Sequence, residues 1–461
     1  MSLAKFASYV CTCLILLGAG LLYNGCSSAP DKPNVVIFFT DDQGTLDVNC
    51  FGSTDLYTPN MDQLAEEGVR FTQAYAHTVC CPSRALLMTG RHPQRSNVNS
   101  WTQGNPKVPG NNMFLSEITI AEVLKDAGYR TGLVGKWHLG ADFEHGPMRQ
   151  GFDEFFGIRD GFIDNYSHTQ LHWRGNNEPY HDLYRGTQEL FRDGEYFPDL
   201  MVEEANAFLD RNSDGPFFLY FPLNIPHYPE QADEQFNDRY SDMPMPRQSY
   251  ARMVSTTDDR IGKIMQKLED LGVYDNTLII FMSDNGHSAE DYQEENGRNY
   301  GANGGGGNTG KWIGNKGTLY EGGIRTPAII RYPKALPNNV VRDQAITAAD
   351  FYPTILDICG VPQPNVTLDG KSLLPIIKSA TKRSHHTVMH WQWIDNWAVR
   401  DGDWKLILQG KRGKLKFHLG TLAGDQPEVV NYAEQHPEVV DRLTKLHEEW
   451  VEEVMPEGAG Q

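Results

Sequence analysis

The sequence predicts an α/β protein with a large mixed, mostly parallel sheet flanked by helices, followed by a smaller C-terminal antiparallel sheet with one helix. Three continuous apolar runs, at 35–39, 217–221 and 278–282, have the length of strands that are buried on both faces, as in parallel sheets. Segments with helical spacing lie between them, the longest at 250–271. From about Ser384 the pattern changes to short strands before an acidic helical segment.

Length and charge limit the classes of protein to consider. A chain of 461 residues suggests two domains, and we place them at 27–383 and 384–461. The net charge of −19 argues against a nucleic-acid partner, which would need a basic surface. An anionic substrate would therefore have to be held by a local pocket of basic side chains.

The first 26 residues resemble an export signal. Lys5 is their only charged residue, and the apolar core at 10–22 is too short to span a bilayer as a helix. The sequence at 25–28 resembles a bacterial lipoprotein cleavage site, which would place a lipid anchor on Cys26. We therefore expect export to the periplasm, to the bacterial cell surface or into the medium. The four cysteines after this leader are too few for a disulfide framework.

Oxygen donors follow two of the apolar strands. Asp41 and Asp42 come directly after the first strand, and Asp284 and Asn285 come directly after the strand at 277–283. Open α/β sheets bind their ligands at the carboxyl ends of parallel strands, so these four side chains are expected to meet. Carboxylate and amide oxygens suit Ca²⁺ or Mg²⁺. For the first pair alone, a solvated acidic turn is the competing interpretation.

Basic and imidazole side chains occupy similar positions. Lys136 and His138 follow a strand predicted at 129–134, and His227 follows the strand at 216–221. Lys316 follows a glycine-rich loop that lacks the ending of a phosphate-binding P-loop. Taken singly, a Lys-x-His pair is usually on the surface, and His227 could equally be a hydrogen-bonded loop histidine.

The stretch from Cys80 to Arg91 predicts a helix whose first turn could bind an anion. Pro82 suits the first turn of a helix and Gly90 suits its end. Cys80 would then lie at a helix N-terminus, where free backbone N–H groups and the helix dipole favour negative charge. Arg84 lies about one turn further along. The alternative is that Cys80 and Cys81 are ordinary buried thiols.

These segments together resemble the type I, formylglycine-dependent sulfatases of the alkaline-phosphatase-like superfamily. The resemblance rests on the C-x-P-S-R signature and on three further motifs, which are G-K-W-H-L-G at 135–140, S-D-N-G at 283–286 and E-G-G-x-R-x-P at 321–327. In that family a formylglycine-generating or maturase enzyme oxidises the first cysteine of the signature. By resemblance that residue is Cys80 and not Cys81.

The resemblance also implies a role for each candidate residue. The metal, calcium rather than magnesium, would be bound by Asp41, Asp42, Asp284, Asn285 and the formylglycine at position 80. Arg84 and His138 would hold the formylglycine hydrate, one of whose hydroxyls attacks sulfur while the other later ejects sulfate. Lys136, His227 and Lys316 would bind the sulfate oxygens, and His227 or Lys316 would protonate the leaving oxygen. We expect neighbouring cations to lower the pKa of a lysine in this pocket.

The substrate side is less well defined by sequence. Some sulfatases carry a substrate-binding serine where this chain has Gly161, and residues 141–198 have the weak periodicity of a substrate-facing insertion. This departure and the segments at 159–173 and 298–312 favour a sulfated carbohydrate such as a polysaccharide. Trp391, Trp393 and Trp397 could stack on sugars, although core packing is expected for at least two of them. Two other functions fit the same motifs: a phosphonate or phosphate monoester hydrolase, and a non-catalytic lipoprotein that binds sulfated glycans.

Overall fold

The computed structural model describes residues 32–102, 111–170, 179–290, 305–411 and 413–455. The predicted signal peptide and Cys26 lie outside the described residues, as do 171–173 and 298–304 of the predicted substrate side. From Pro33 onward the chain forms one compact unit. Among the described helices, none combines the length and apolar character needed to cross a membrane.

Seventeen strands make up three sheets in the described part of the chain. In chain order they are β1 (Asn34–Thr40), β2 (Val69–Tyr75), β3 (Arg130–Lys136), β4 (Glu154–Ile158), β5 (Thr169–Gln170), β6 (Tyr180–His181), β7 (Tyr184–Arg185), β8 (Gln188–Glu189), β9 (Phe217–Pro222), β10 (Thr277–Ser283), β11 (Arg325–Arg331), β12 (Val340–Arg342), β13 (Ile346–Thr347), β14 (Val388–Trp393), β15 (Asn396–Asp401), β16 (Trp404–Gln409) and β17 (Lys416–Thr421). The main sheet has the order β12-β2-β11-β10-β1-β9-β3-β4-β7-β8, with β13 also paired to β2.

The centre of the main sheet is parallel, as its apolar runs predict. Strands β10, β1, β9, β3 and β4 pair in parallel, while β11 joins β10 in the antiparallel sense. The carboxyl ends of these five strands therefore lie along one edge of the sheet. The predicted fold class is confirmed, including the smaller C-terminal sheet.

Helices cover both faces of this sheet. They are α1 (Pro59–Glu66), α2 (Cys80–Thr89), α3 (Ile120–Asp126), α4 (Phe197–Asn212), α5 (Arg247–Asp270), α6 (Glu321–Ile324), α7 (Phe351–Cys359), α8 (Leu374–Ile377) and α9 (Pro437–Val454). Alternate residues of β1 supply the two cores: Ile37 packs with residues of α2, α3 and α7, whereas Phe38 packs with residues of α1, α4 and α5. This alternation is the two-residue period of a strand that is buried on both faces.

The C-terminal sheet is an antiparallel meander of β14 to β17, with α9 packed against it. Trp391 and Trp393 are buried in core clusters, and the Trp391 indole N–H donates to the carbonyl of Ala76 at 3.0 Å. Trp397 stacks on His447 of α9, with ring centroids 4.2 Å apart. All three rings thus pack within the protein rather than forming a sugar platform.

Helix α3 begins at Ile120, because Thr119 and Glu122 form a reciprocal capping box that sets its start. One strand differs from the sequence prediction. Residues 154–158, placed by sequence in an irregular insertion, form β4 and pair in parallel with β3. Their glycine-interrupted pattern is too short for its periodicity to separate a strand from a loop.

A buried charged cluster joins the C-terminal sheet to the main sheet. The Lys405 ammonium of β16 lies 2.9 Å from Glu321 Oε1 and 2.9 Å from Glu428 Oε1, and all three side chains are fully buried. Burial opposes ionisation of Glu321, but Lys405 and Arg325 hold its pKa at about 2. Glu321 opens the E-G-G-x-R-x-P motif, so this motif is bound to the C-terminal sheet through one lysine.

We expect Lys405→Met to lower the free energy of unfolding by about 3–5 kcal/mol, because it leaves the buried Glu428 without its counter-charge and leaves Glu321 with Arg325 alone. Denaturant unfolding of the purified variant measures this loss. Lys445→Met on the exposed face of α9, where the lysine is 3.8 Å from Glu449, is the matched control and should change stability by less than about 0.5 kcal/mol. If the two variants have the same free energy of unfolding, the cluster does not stabilise the contact between the sheets.

Candidate active site

The carboxyl ends of β1 and β10 bring together the four predicted oxygen donors. The Asp42 amide donates to Asp284 Oδ1 at 3.2 Å, and the Asn285 side-chain amide donates to Asp42 Oδ1 at 2.7 Å. Asp41, Asp42, Asp284 and Asn285 are all buried. Asp42 adopts the left-handed backbone region (φ 65°), which turns the chain sharply just after β1.

Cys80 is the first residue of α2 and reaches the same cluster. Its sulfur, one Asp41 oxygen and one Asp284 oxygen all lie within 4.8 Å of one another. Cys81, the next residue, is instead buried in the apolar core beneath the helix. Burial raises the pKa of the Cys80 thiol to about 11, although Lys136 and Lys316 oppose this. With only the protein's own charges around it, the unmodified Cys80 thiol is therefore protonated near pH 7.

Three cations of the site each pair with one carboxylate. Lys136 Nζ lies 2.5 Å from Asp41 Oδ2, Lys316 Nζ lies 2.9 Å from Asp42 Oδ2, and Arg84 Nη2 lies 2.9 Å from Asp284 Oδ2. No side chain in these pairs is more than 5 % exposed. The expectation of a lowered lysine pKa is wrong for this geometry. Burial does lower it, but the carboxylate partners raise the pKa of Lys136 and Lys316 above the usual value.

His227 faces the acidic cluster from the loop after β9. Its Nδ1–H donates to the carbonyl of Tyr228 at 2.6 Å, which leaves Nε2 facing Asp42 Oδ2 at 3.6 Å. The ring stacks on Phe162, with centroids 5.3 Å apart. Burial, followed by the nearby Lys316 charge, lowers the pKa of His227.

His138 lies beyond the end of β3, also with a left-handed backbone (φ 58°). Its Nε2 is 3.9 Å from Asp160 Oδ1, and its ring stacks on Trp101. Gly161 lies directly against it, because a Cβ atom at position 161 would be 3.0 Å from His138 Cε1. A serine here would require the imidazole to move. The observed position of His138 therefore depends on the absence of a side chain at residue 161.

The residues at the centre of the site fit a divalent cation. Asp41 Oδ1 and Asn285 Oδ1 are both buried and have no hydrogen-bond partner among the residues that the structure describes. Burial and the Asp41 charge raise the pKa of Asp284 to about 8. The charges of Lys136 and of the other basic side chains around it lower the pKa of Asp41. Buried, mutually repelling carboxylates with unpaired oxygens are the hard donors that Ca²⁺ or Mg²⁺ uses.

The sequence of the described core matches a known family model. The model for the sulfatase domain matches residues 33–361, which is most of the chain. The chain belongs to the sulfatase family. It is a sulfuric ester hydrolase of alkaline-phosphatase-like fold. A second model, N-sulphoglucosamine sulphohydrolase C-terminal, matches residues 310–453.

Individual relatives of this sulfatase are similar over most of their length. Human N-acetylgalactosamine-6-sulfatase is 30 % identical, with 94 % of this chain and 88 % of that protein covered. Human arylsulfatase A is 32 % identical, with coverages of 85 % and 76 %. The crystal structure of Ps i-CgsB in complex with k-i-k-neocarrahexaose superposes with a TM-score of 0.79 at 28 % identity and covers 94 % of both chains.

Three supporting residues of the sulfatase site were not identified from sequence. The Ser83 hydroxyl donates to the carbonyl of Asp284 and accepts from the amide of His77 at 2.9 Å, which joins the start of α2 to the end of β10. Ser283 accepts from the Gln43 amide at 3.0 Å. Tyr250 of α5 donates to the carbonyl of Asp42 at 2.9 Å. Ser83 lies within the C-x-P-S-R signature, but Tyr250 has no local signal because its partner is 208 positions away.

We expect Tyr250→Phe to weaken the site without unfolding the protein. The change leaves the buried Asp42 carbonyl and the Gly44 amide without the hydroxyl that joins them, which costs about 1–3 kcal/mol. Because Asp42 lies in this turn, kcat/KM should fall together with cation affinity. Steady-state kinetics at several Ca²⁺ concentrations tests this, with Tyr57→Phe on the surface as the control. Unchanged calcium dependence would contradict the prediction.

Proposed function

We propose that the protein hydrolyses sulfate esters of sulfated carbohydrates, with Cys80 converted to formylglycine as the nucleophile. The observation that best supports this proposal is the position of Cys80 at the N-terminus of α2. Its sulfur lies within 4.8 Å of Asp41 and Asp284 oxygens and near the buried ammonium groups of Lys136 and Lys316. The hydrated formylglycine would supply a hydroxyl nucleophile, and a bound Ca²⁺ would neutralise negative charge at that position.

The proposed roles follow from the observed pairs. Asp41, Asp42, Asp284, Asn285 and position 80 would hold the calcium. Once these carboxylates bind a cation, the ammonium groups of Lys136 and Lys316 are available to the sulfate oxygens. His227 Nε2 faces the same space. It would complete the sulfate pocket and protonate the leaving oxygen.

Two other residues would orient position 80. Arg84 is held rigidly between Asp284 Oδ2 and the carbonyl of Lys136, at 2.9 and 3.0 Å. His138 lies against Trp101 and Gly161, and we assign it the base that assists sulfate release. Because both are buried, their positions depend on packing rather than on solvent-exposed rotamers.

Two comparisons support a carbohydrate substrate. One relative at 30 % identity is an N-acetylgalactosamine-6-sulfatase, and the similar structure of Ps i-CgsB is bound to a neocarrahexaose. The absence of a side chain at Gly161 favours a substrate contact different from that of serine-containing sulfatases.

A panel of sulfated glycans tests the proposal, with inorganic sulfate release measured by ion chromatography. We expect turnover of at least one sulfated saccharide with a kcat/KM well above that for 4-nitrophenyl sulfate. 4-Nitrophenyl phosphate and a phosphonate monoester serve as controls for the alternative hydrolase. Release of sulfate from aryl esters alone, or faster turnover of the phosphorus esters, would contradict the carbohydrate assignment.

The remaining proposals concern maturation and location. We propose that a formylglycine-generating or maturase enzyme acts on Cys80 and that residues 1–26 direct export, with a lipid on Cys26. We also keep 27–383 as the catalytic domain and 384–461 as the C-terminal subdomain. Intact mass spectrometry of the exported protein, compared with a Cys26→Ala variant, tests the lipid. If the exported wild-type protein and the variant differ in mass only by the substitution itself, the lipid on Cys26 is excluded.

A further inference from the structure

A second cluster of metal-ligating side chains lies outside the sulfatase site. His168 immediately precedes β5, His181 ends β6, and Asp193 lies in the loop after β8. One ring nitrogen of each histidine and a carboxylate oxygen of Asp193 all lie within 4.8 Å of one another. The backbone brings these segments together: Thr169 pairs with His181 across the hairpin, and the Asp182 amide donates to the carbonyl of His168 at 2.9 Å.

The hydrogen bonds of His168 leave one nitrogen ready to bind a metal. Its Nε2 is 3.0 Å from the carbonyl of Glu195, and a carbonyl oxygen can only accept, so Nε2 carries the proton. In the neutral ring Nδ1 then holds the lone pair. In the part of the chain that the structure describes, no hydrogen-bond partner reaches that Nδ1, and the residue is 0 % exposed.

His181 has the complementary arrangement. Its Nδ1 lies 3.1 Å from Glu189 Oε1, so Nδ1 donates to the carboxylate, and in the neutral ring Nε2 holds the lone pair. Nε2 is likewise buried and has no partner among the described residues. A histidine whose far nitrogen donates to a carboxylate or carbonyl is the usual outer arrangement of a metal-bound imidazole. Two neighbouring histidines therefore both offer unsatisfied lone pairs.

We propose that His168, His181 and Asp193 bind a zinc-class transition-metal ion. Two imidazole nitrogens and one carboxylate favour Zn²⁺ over Ca²⁺, which prefers oxygen ligands. Zinc–nitrogen bonds of about 2.0–2.1 Å require the three atoms to approach somewhat, and the exposed Asp193 carboxylate is free to rotate inward. The site is distinct from the predicted calcium centre in both location and donor type.

The site would fix the hairpin of β5 and β6 against the catalytic centre. Gln170 Nε2 donates to Asp160 Oδ2 at 3.1 Å, and the Tyr180 hydroxyl donates to the same oxygen. The other Asp160 oxygen is the one 3.9 Å from His138 Nε2. A metal at the base of the hairpin would hold Gln170 and Tyr180 in place and thereby position Asp160, so its role is structural rather than catalytic.

Zinc binding to the full chain, prepared without a polyhistidine tag, tests the proposal. The protein is stripped with EDTA, saturated with Ca²⁺ to fill the candidate calcium centre, and titrated with Zn²⁺ against a chromophoric chelator. We expect one tightly bound zinc per chain and a rise in unfolding temperature on zinc addition. Both should be lost in Asp193→Asn, a surface change that leaves folding intact, and in His181→Gln.

Two further variants sharpen the result. Glu189→Gln removes the carboxylate behind His181 and should weaken zinc binding by about 10–100-fold without removing a ligand. His145→Gln, at a surface histidine paired with Asp142 at 2.8 Å, is the control and should bind zinc normally. The proposal is overturned if wild-type protein retains no zinc, or if Asp193→Asn and His181→Gln retain as much zinc as His145→Gln. Loss of the zinc in Asp42→Asn instead would place it at the calcium centre and also overturn the proposal.

Discussion

Cys80→Ala and Cys80→Ser each lose almost all sulfatase activity when produced in a host that converts cysteine to formylglycine. Removing a covalent nucleophile costs roughly 10⁴-fold or more in kcat, because the remaining groups only bind and polarise the substrate. Serine restores a hydroxyl but not the second hydroxyl that the hydrate uses to eject sulfate, so it should not rescue turnover. Sulfate release from the best substrate of the glycan panel is the measurement.

Cys81→Ala is the matched control for this experiment. Cys81 is the neighbouring residue but lies in the apolar core rather than facing the carboxylates, so its loss should cost some stability and little activity. Peptide mass spectrometry should find formylglycine at position 80 in wild-type protein and in Cys81→Ala. Full activity of Cys80→Ala, or conversion at position 81, would refute the assigned nucleophile.

Removing the divalent cation should abolish activity and lower the unfolding temperature. Without a cation, Asp41, Asp42 and Asp284 are balanced by Lys136, Lys316 and Arg84, so the lysines are engaged by carboxylates and unavailable to sulfate. A ligand present at 1,000 times its Kd adds about 4 kcal/mol to the free energy of unfolding. Activity and unfolding temperature after exhaustive EDTA treatment, and after Ca²⁺ or Mg²⁺ is restored, measure the effect.

Variants separate a specific cation site from a general effect of chelation. Asp41→Asn and Asp284→Asn should lose the calcium-dependent rise in unfolding temperature. Asp357→Asn, an exposed aspartate on α7, should keep it. Calcium should also strengthen the stabilisation by inorganic sulfate, since the freed lysines then bind the anion. A wild-type protein with no bound metal by elemental analysis and no response to EDTA would end the calcium proposal.

Much of the fold was predictable because its signals are local. Apolar runs such as 35–39 and 278–282 identify strands buried on both faces. The parallel centre then follows, since such strands need helices between them. Strand β4 was missed because its five residues contain a glycine and lie in a segment with little periodicity.

Polar groups at strand ends were also predictable, because parallel strands deliver their carboxyl ends to one edge. That rule predicts from sequence that Asp41, Asp42, Asp284 and Asn285 lie near one another. The charge state of the pocket was not predictable. From sequence, Lys136 and Lys316 are neighbouring cations, which predicts a lowered lysine pKa. In the structure each ammonium instead pairs with a carboxylate, which raises the pKa of both lysines.

The sequence by itself determined the family, the fold class and the residue types available at each strand end, since each depends on motifs or periodicities a few residues long. Only the tertiary structure decided that Tyr250 supports Asp42 and that His168 and His181 present lone pairs beside Asp193. These relations depend on side-chain direction and on hydrogen bonds between distant segments. Such contacts arise only when the packed core brings those segments together, and no local pattern encodes them.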